Sequence, residues 1–311
     1  MARPIFIGGA ARTGTTWLSN IISRHSKFAG ILRPSSIGMY GLNESAFFSH
    51  VAGMFGNLEN DNNLIQFIEV FTNSDYFAES GLDKEIFYRE KPRTYQDFFR
   101  LLMDRFAEKE GAALWLEKTP AHSFHFEEII GYYDDAKIIA MKRGPIDQVK
   151  SGVMMLKRRI GEKDLGIKKT DILTRVFKYH SCYKHIAHLM STKPDKVKLI
   201  EYEELRKSTR SIVVEICDFL EIEFEEEMLR DRNNQKFHTS FISDSDRDKI
   251  LSKIEDRGIR LISYLLELLP YRLYRLVYLL NRIIVVRRRK LPYWFFKTKI
   301  KQHGWSTPFL D

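Results

Sequence analysis

Residues 5–17 read IFIGGAARTGTTW, three large apolar residues followed by small and hydroxylated ones and then by the start of an apolar pattern. The run Ile5-Phe6-Ile7 is typical of a buried strand, and the glycines behind it favour a tight turn. From Thr15 onward, large apolar side chains recur at helical spacing. The stretch therefore predicts a strand, a loop and a helix in direct succession.

The loop in this stretch is suited to bind an anion. Its small residues let the backbone curl so that the amides point inward, and the positive end of the helix dipole adds to the attraction. A plain strand-to-helix turn is the alternative. It is disfavoured because residues 8–16 contain three Gly, three Thr and one Arg.

The following 200 residues alternate between short apolar runs and amphipathic segments. Further strands are predicted at 112–117, 137–141 and 197–201. Helices are predicted at 15–24, 95–109, 146–156, 171–190 and 212–220. Short buried strands separated by helices are typical of a parallel sheet covered on both faces. We therefore expect an α/β, three-layer, P-loop-like fold with a central parallel sheet flanked by helices.

Two common phosphate-binding motifs are incomplete in the loop. Gly9 and Gly14 have the spacing of a nucleoside triphosphatase loop, but Thr15 stands where that loop needs a lysine. The GxGxxG fingerprint of dinucleotide-binding proteins is absent as well. A P-loop nucleotide kinase or hydrolase without the usual lysine is therefore a disfavoured alternative. The basic residue of this loop is Arg12, two positions before the second glycine.

Residues 12–17 resemble the 5′-phosphosulfate loop of sulfotransferases, which often reads Lys-Ser-Gly-Thr-Thr-Trp. Arg12 and Thr13 replace the Lys and the Ser, and an Arg here resembles carbohydrate and bacterial members. The resemblance implies that the donor is 3′-phosphoadenosine 5′-phosphosulfate (PAPS) and that the product is the 3′,5′-bisphosphate (PAP). It also implies that the following residues bind the donor: Arg12, Thr13, Gly14, Thr15, Thr16 and Trp17.

Two later segments resemble other motifs of the same family. In residues 142–151, Arg143 at a strand end and Ser151 eight positions later are similar to the 3′-phosphate motif, and we expect both to converge on one phosphate. Residues 197–205 resemble the strand followed by Tyr-Glu-Asp-Leu, which implies that Tyr202 lies near the adenine. The motifs come in the family's order and cover residues 4–225. The chain is identified as a member of the PAPS-dependent sulfotransferases, of the carbohydrate or bacterial type.

Glu44 is the first candidate for the general base that sulfuryl transfer requires. Residues 43–48 read NESAFF and resemble the Lys-Glu-x-x-Phe-Phe stretch of glycan sulfotransferases, in which the Glu takes the proton of the acceptor. A solvated loop glutamate beside two core phenylalanines is the alternative reading.

His122 is the rival candidate. Residues 117–120 match the Glu-Lys-[Ser/Thr]-Pro of glycan-type members, which implies that Lys118 is a second cation at the sulfuryl group. Cytosolic members carry their base histidine at the position of Pro120, and His122 falls two residues later, so we expect it to contact the acceptor. Arg12 is expected to stabilise the leaving oxygen.

No metal is expected, because the transferred sulfuryl group carries less charge than a phosphoryl group. Four possible ligands lie within nine residues, but their offsets scatter them around a helix, so a zinc site is improbable. They are His180, Cys182, His185 and His188.

The positive charge is concentrated at the C-terminus. The 311 residues have a net charge of +9, yet residues 257–311 alone contain 12 Lys and Arg against 2 Asp and Glu. Residues 1–256 therefore have a net charge of −1. This division predicts a sulfotransferase domain over 1–256 and a basic, amphipathic helical tail over 257–311.

The tail has the composition of a helix that lies in a membrane surface. Its apolar stretch is too often interrupted by charge to span a bilayer, while its arginines and aromatic residues flank a wide apolar face. We expect residues 261–300 to bind an anionic membrane. Docking on the domain's own core and a dimer contact are the alternatives, and nucleic acid is not expected as a partner because base recognition needs more than a charge cluster.

These observations predict an enzyme that moves a sulfuryl group from PAPS to a hydroxyl or amine of a glycan or lipid-linked acceptor. A non-catalytic membrane adaptor is disfavoured because both phosphate motifs look complete. The chain shows no signal-peptide pattern at its start, and two cysteines, Cys182 and Cys217, provide no disulfide framework. We therefore expect a cytoplasmic protein that is peripherally associated with the membrane.

Overall fold

A five-stranded parallel sheet forms the centre of the protein. The computed structural model describes residues 1–34, 40–160, 169–230, 252, 254 and 256–277. Its strands are β1 (Arg3–Gly9), β2 (Phe28–Ala29), β3 (Leu32–Pro34), β4 (Tyr40–Leu42), β5 (Leu114–Lys118), β6 (Lys137–Lys142) and β7 (Val197–Glu201). The sheet has the order β2-β5-β1-β6-β7, and β3 and β4 pair separately as antiparallel strands.

Helices cover both faces of this sheet, so the predicted three-layer α/β fold is confirmed. They are α1 (Thr15–Ile22), α2 (Asp61–Phe71), α3 (Asp75–Ser80), α4 (Glu85–Glu90), α5 (Tyr95–Lys109), α6 (Phe126–Tyr132), α7 (Pro145–Ile160), α8 (Lys169–Thr192), α9 (Tyr202–Lys207), α10 (Thr209–Leu220) and α11 (Asp256–Glu267). Short π and 3-10 helices span Phe47–Val51, Pro120–His125 and Glu226–Leu229, and residues 271–277 are helical.

The central strand β1 shows how the core is divided. Ile5 and Ile7 point to the face covered by α1 and α10, whereas Phe6 points to the opposite, aromatic-rich face. This alternation follows from the two-residue period of a strand. All three side chains are fully buried, and each such burial contributes about 1.5–3 kcal/mol to the free energy of folding.

The carboxyl ends of the central strands meet at one edge of the sheet. In the parallel registers, Ile7 pairs with Lys118, Gly9 with Met141, and the last residues of β6 and β7 pair with each other. In open α/β sheets, ligands bind at this edge, where the chain leaves the central strand toward opposite sides. The predicted donor motifs and the segment of Lys118 lie at the ends of these strands, whereas the segment of Glu44 follows β4 of the separate pair.

The segment after residue 255 packs against the domain through α11. Ile259 is buried in a small cluster with Val149 and Val153 of α7 and Val176 of α8. No helix among the described residues is long and apolar enough to cross a membrane. The division at residue 256 stays a prediction, and residues 278–300 of the predicted membrane segment lie outside the described part of the chain.

Candidate active site

The loop between β1 and α1 has the backbone shape of an anion-binding turn. Gly9, Arg12 and Gly14 have positive φ angles of 133°, 74° and 98°. A Cβ atom on Gly14 would lie 2.6 Å from the ring of Tyr202, and one on Gly9 would lie 2.2 Å from the carbonyl oxygen of Met141. Both positions therefore require glycine, for conformation and for space.

Helix α1 begins directly after this loop, so its first amides point out of the helix at the end that adjoins the loop. Gly14 is the N-cap of the helix and has no side chain to accept from these amides. Helix N-terminal amides without a side-chain cap bind anions through hydrogen bonds and through the helix dipole. The loop and α1 thus provide the donors that a phosphosulfate group needs.

Side chains from other elements hold the loop in place. Ser123 Oγ accepts a hydrogen bond from the Gly9 amide at 2.6 Å. Gln148 Nε2 donates to the carbonyl of Ala11 at 2.7 Å, and the buried Thr13 hydroxyl donates to a carbonyl within the loop at 2.7 Å. Ser123 and Gln148 were not predicted from the sequence, although Gln148 belongs to the segment that resembles the 3′-phosphate motif.

The residues predicted to bind the 3′ end of the donor lie beside the loop. Arg12 Nε donates to Ser151 Oγ at 3.2 Å, so Ser151 contacts the 5′ loop directly. The guanidinium of Arg143 lies 4.6 Å from the ring centroid of Tyr202, and Trp17 meets the same ring edge-on at 5.7 Å. The structure therefore brings these five residues together at one end of the loop.

Arg143 has an unused donor in this arrangement. Its Nε atom is buried and has no hydrogen-bond partner among the residues that the structure describes. Leaving a buried charged donor unpaired is costly, so such a group is expected to have a ligand. A phosphate of the donor fits this position in charge and in hydrogen-bonding chemistry.

Lys118 connects the loop with the candidate base Glu44. It ends β5, and its ammonium group lies 2.6 Å from Glu44 Oε1 and 3.5 Å from the hydroxyl of Thr16. The side chain of Lys118 is 3% exposed, while that of Glu44 is 45% exposed. The buried cation Lys118 thus lies between the phosphosulfate loop and the carboxylate of Glu44. Because this carboxylate is exposed to solvent, an acceptor can reach it.

Behind this pair lies a buried hydrogen-bond network around Glu117. The carboxylate accepts from the hydroxyls of Ser45 at 2.7 Å and Thr119 at 2.6 Å and from His122 Nδ1 at 2.8 Å. Burial alone raises the pKa of Glu117, but its contact with His122 and the two hydroxyl hydrogen bonds outweigh this effect and lower the pKa overall. Glu117 is therefore a stable buried anion.

His122 is part of this network and is fully buried. Its Nε2 accepts a hydrogen bond from the Phe48 amide at 3.1 Å, so Nδ1 carries the proton that is donated to Glu117. Both ring nitrogens are occupied within the protein. Of the two candidates for the base, Glu44 is exposed whereas His122 is buried, and the structure places Glu44 next to Lys118.

Residues 4–226 match the model of the sulfotransferase family, nearly the range covered by the predicted motifs. The chain belongs to the sulfotransferase family. The prediction of a sulfotransferase is thus confirmed, and family membership implies the use of PAPS. The kinase or hydrolase alternative does not fit this assignment. The helix α11 lies beyond the matched range.

Solved sulfotransferases share the fold of this sulfotransferase. The sulfotransferase domain from the Synechococcus PCC 7002 olefin synthase is 18% identical, with a TM-score of 0.53 over 85% of this chain and 93% of that one. The sulfotransferase domain from the curacin biosynthetic pathway is 19% identical, with a TM-score of 0.50 over 87% of this chain and 99% of that one. At these identities the likeness concerns the fold. No curated protein matches the sequence.

Proposed function

We propose that this sulfotransferase transfers the sulfuryl group of PAPS to a hydroxyl or amine of a glycan or glycolipid, with Glu44 as the general base. The observation that carries the proposal is the position of Lys118, which contacts Glu44 and the hydroxyl of Thr16 in the phosphosulfate loop. Sulfuryl transfer needs a base on the acceptor side, cations on the donor side and a short distance between them.

The donor would be held at its two phosphate ends. The amides of residues 13–16 and the Arg12 side chain would bind the 5′ end, and the unpaired Nε of Arg143 makes it the best cation for the 3′-phosphate. The ring of Tyr202, which lies between Arg143 and Trp17, would contact the adenine. PAPS supplies the activated sulfuryl group, and the residues of this chain orient it.

Glu44 would accept the proton of the acceptor while the acceptor oxygen or nitrogen bonds to sulfur and the bond from sulfur to the phosphate oxygen breaks. Lys118 would orient the Glu44 carboxylate and neutralise charge near the transferred group, and Arg12 would stabilise the departing phosphate oxygen. The partial exposure of Glu44 supports this role because an acceptor must reach the base.

The network around Glu117 would position the base. The hydroxyl of Ser45, the residue after Glu44, donates a hydrogen bond to Glu117, and the amide of Phe48 donates one to His122. One contact lies just before the start of the π-helix and the other just after it. Together they fix the backbone segment that carries Glu44. We therefore propose His122 as a positioning residue, in place of the acceptor contact expected from the sequence.

The acceptor class is proposed from two features. The Glu44 and Glu117–Pro120 segments resemble those of glycan-type members, and the base lies at the surface, as a large acceptor requires. A first experiment incubates the protein with ³⁵S-labelled PAPS and cell-envelope extract. Label is expected in a glycan or glycolipid fraction, and transfer only to small phenols would contradict the acceptor class.

Calorimetry tests the donor. PAP is expected to bind without metal, and ATP with Mg²⁺ is expected to bind at least about tenfold more weakly, because a second phosphate site beside Arg143 contributes roughly 1.4 kcal/mol or more. Equal or tighter binding of ATP with Mg²⁺ would contradict the proposal.

A further inference from the structure

The surface of α11 and the residues after it is unusually apolar. Ten large apolar side chains are exposed among the described residues, and six of them lie between positions 261 and 276. Their exposed fractions range from 42% to 65%. These six side chains, called here the apolar stripe, are Leu261, Tyr264, Leu265, Leu268, Leu273 and Leu276. Exposed apolar side chains concentrated in one segment are the mark of an interaction surface.

The apolar stripe is distinct from the face by which α11 packs on the domain. Leu261, Tyr264, Leu265 and Leu268 follow the i, i+3, i+4, i+7 pattern of one helix face. Ile259 packs into the cluster formed with α7 and α8, with Ile262 and Leu266 partly buried against it. The helix therefore has two apolar faces, of which one is covered by the protein and the other is exposed.

The exposed charged side chains of this segment are mainly basic. Asp256 pairs with Lys150 at 2.8 Å and Glu267 pairs with His180 at 3.0 Å, so both acidic side chains of the segment contact the domain. The exposed basic side chains beside the stripe are those of Arg257, Arg260, Arg272 and Arg275, of which Arg275 also pairs with Glu127 at 3.7 Å. Because the side chain of Glu267 is 65% exposed, the outer surface of this segment is apolar with four arginines against one exposed glutamate.

We propose that the apolar stripe and its flanking arginines bind the surface of an anionic membrane, with α11 lying in the plane of the headgroups. Leucine and tyrosine side chains insert into the acyl boundary, and arginines at the edge of the stripe contact anionic headgroups. The inference goes beyond the sulfuryl transfer proposed above and does not depend on it.

An apolar face can also bind a second copy of the chain or the chain's own residues 278–311. Charge complementarity favours a lipid surface over both. A second copy would pack the same patch against itself and bring the arginines of both protomers together. Residues 278–311 are no better suited to cover the stripe, because they contain eight Lys and Arg and one acidic residue. An anionic bilayer satisfies both the apolar and the basic part of this surface.

The position of the stripe relates it to the active site. Asp256, the first residue of α11, pairs with Lys150, which neighbours Ser151, the partner of Arg12. These contacts connect the segment that carries the stripe to the donor loop, so a membrane bound to the stripe would hold the whole domain at the lipid surface. If the acceptor is lipid-linked, this arrangement raises its local concentration at Glu44.

Vesicle sedimentation of the full chain tests the inference. Protein is mixed with vesicles of phosphatidylcholine alone or of phosphatidylcholine with phosphatidylglycerol. We expect binding to the anionic vesicles, at least about tenfold weaker binding to the neutral ones, and weakening by salt. A double variant, Leu265→Glu with Leu268→Glu, is expected to lose binding. The matched control is Leu173→Glu, at an exposed leucine of α8, which should bind like the wild type.

The arginines are tested separately. Replacing Arg257, Arg260 and Arg272 by Gln is expected to weaken binding to anionic vesicles by roughly 100-fold, from about a factor of five for each arginine. Circular dichroism and calorimetry with PAP verify that each variant is folded and keeps its donor site, so that a loss of vesicle binding is distinct from a failure of the proposed function.

Two results would overturn the inference. Wild-type protein that stays in the supernatant with anionic vesicles excludes a membrane-binding surface. A wild-type dimer that becomes monomeric in the Leu265→Glu, Leu268→Glu variant, measured by light scattering, would assign the stripe to a second copy of the chain.

Discussion

Replacing Glu117 by Gln perturbs the buried network behind the active site without changing its volume. The carboxylate has four hydrogen-bonding positions, and in the structure the surrounding groups all donate to it: the Ser45 and Thr119 hydroxyls, the Ser45 amide and His122 Nδ1. An amide replaces one accepting oxygen by a donating NH₂ group. Either orientation of the amide therefore places a donor against donors.

The loss of stability in Glu117→Gln follows from the contacts that the new amide makes in each of its two orientations. With NH₂ toward His122, two donors meet, and a change of tautomer only moves the conflict to the Phe48 amide. With NH₂ toward Ser45 and Thr119, the protons of both hydroxyls lose their acceptor. One or more buried donors stay unsatisfied, which costs about 1–3 kcal/mol of stability. For a chain of this size that lowers Tm by roughly 2–5 °C.

Catalysis should be affected as well as stability. Ser45 follows Glu44 directly, so a shift of the network moves the base relative to Lys118. Misplacement of a catalytic group by about 1 Å costs up to about 100-fold in rate. We expect kcat for sulfuryl transfer from PAPS to fall by about 10- to 100-fold at a temperature well below Tm, while PAP affinity stays within about twofold.

The assay compares kcat, PAP affinity and Tm of Glu117→Gln with those of Glu110→Gln, a control at an exposed glutamate. Glu117→Asp keeps the charge and is expected to recover part of kcat. A variant with a lowered Tm but wild-type kcat would refute the reasoning, because the network would then be structural only.

Acid unfolding gives a second readout of the same residue. Since the pKa of Glu117 is lowered in the folded protein, its contribution to stability is present above the ordinary value of 4.5 and is lost as the pH falls through the folded pKa. Stability measured by urea unfolding should therefore depend less on pH below about 4.5 in Glu117→Gln than in the wild type. The same pH dependence of stability in Glu117→Gln and in the wild type would show that Glu117 is not ionised in the folded protein.

Three further predictions concern the donor site and α8. Gly14→Ala would place a Cβ 2.6 Å from the Tyr202 ring at a φ of 98°, so PAP affinity measured by calorimetry should fall at least about tenfold. The control Gly131→Ala, which meets no atom within 4 Å, should bind PAP normally. Arg143→Gln should weaken the binding of PAP by about 10- to 100-fold and leave the binding of adenosine 5′-phosphosulfate, which lacks the 3′-phosphate, unaffected. An equal loss of affinity for both ligands would contradict the assignment of Arg143 to the 3′-phosphate. Burial lowers the pKa of His185 to about 4. The contribution of the neutral imidazole to the stability of the folded protein is therefore fully present above pH 6.5 and is lost as the pH falls toward 4. His185→Phe should remove this dependence in urea unfolding, and an unchanged pH profile would contradict it.

The parts of the fold that have a strong local pattern were predictable from the sequence. Helix α5 and strand β7 have the predicted bounds, because α5 has a clear helical period and β7 is a short apolar run between polar residues. Strand β2 was missed since two residues carry no periodicity, and it exists through pairing with β5. Helices α2 to α4 were missed although Asn60 and Ser74 cap two of them.

The candidate site also has a part that the sequence predicts and a part that it does not. The loop at Arg12–Trp17 was predictable because the donors, the glycines and the helix start are consecutive in the chain. The network around Glu117 was not, since it joins residues 45–48 to residues 117–122 and depends on tertiary contacts. One signal was available: Glu117 is a charged residue in an apolar strand, and a buried charge requires partners.

Glu44→Gln tests the central claim most directly. Turnover of ³⁵S-PAPS with envelope acceptors is measured beside PAP affinity, with Glu79→Gln, at an exposed glutamate of α3, as the control. Turnover is expected to fall by at least about 100-fold because the acceptor's proton has no base, while PAP affinity stays within about twofold. Near-wild-type turnover by Glu44→Gln, together with loss of turnover in His122→Ala that keeps its wild-type Tm, would contradict it.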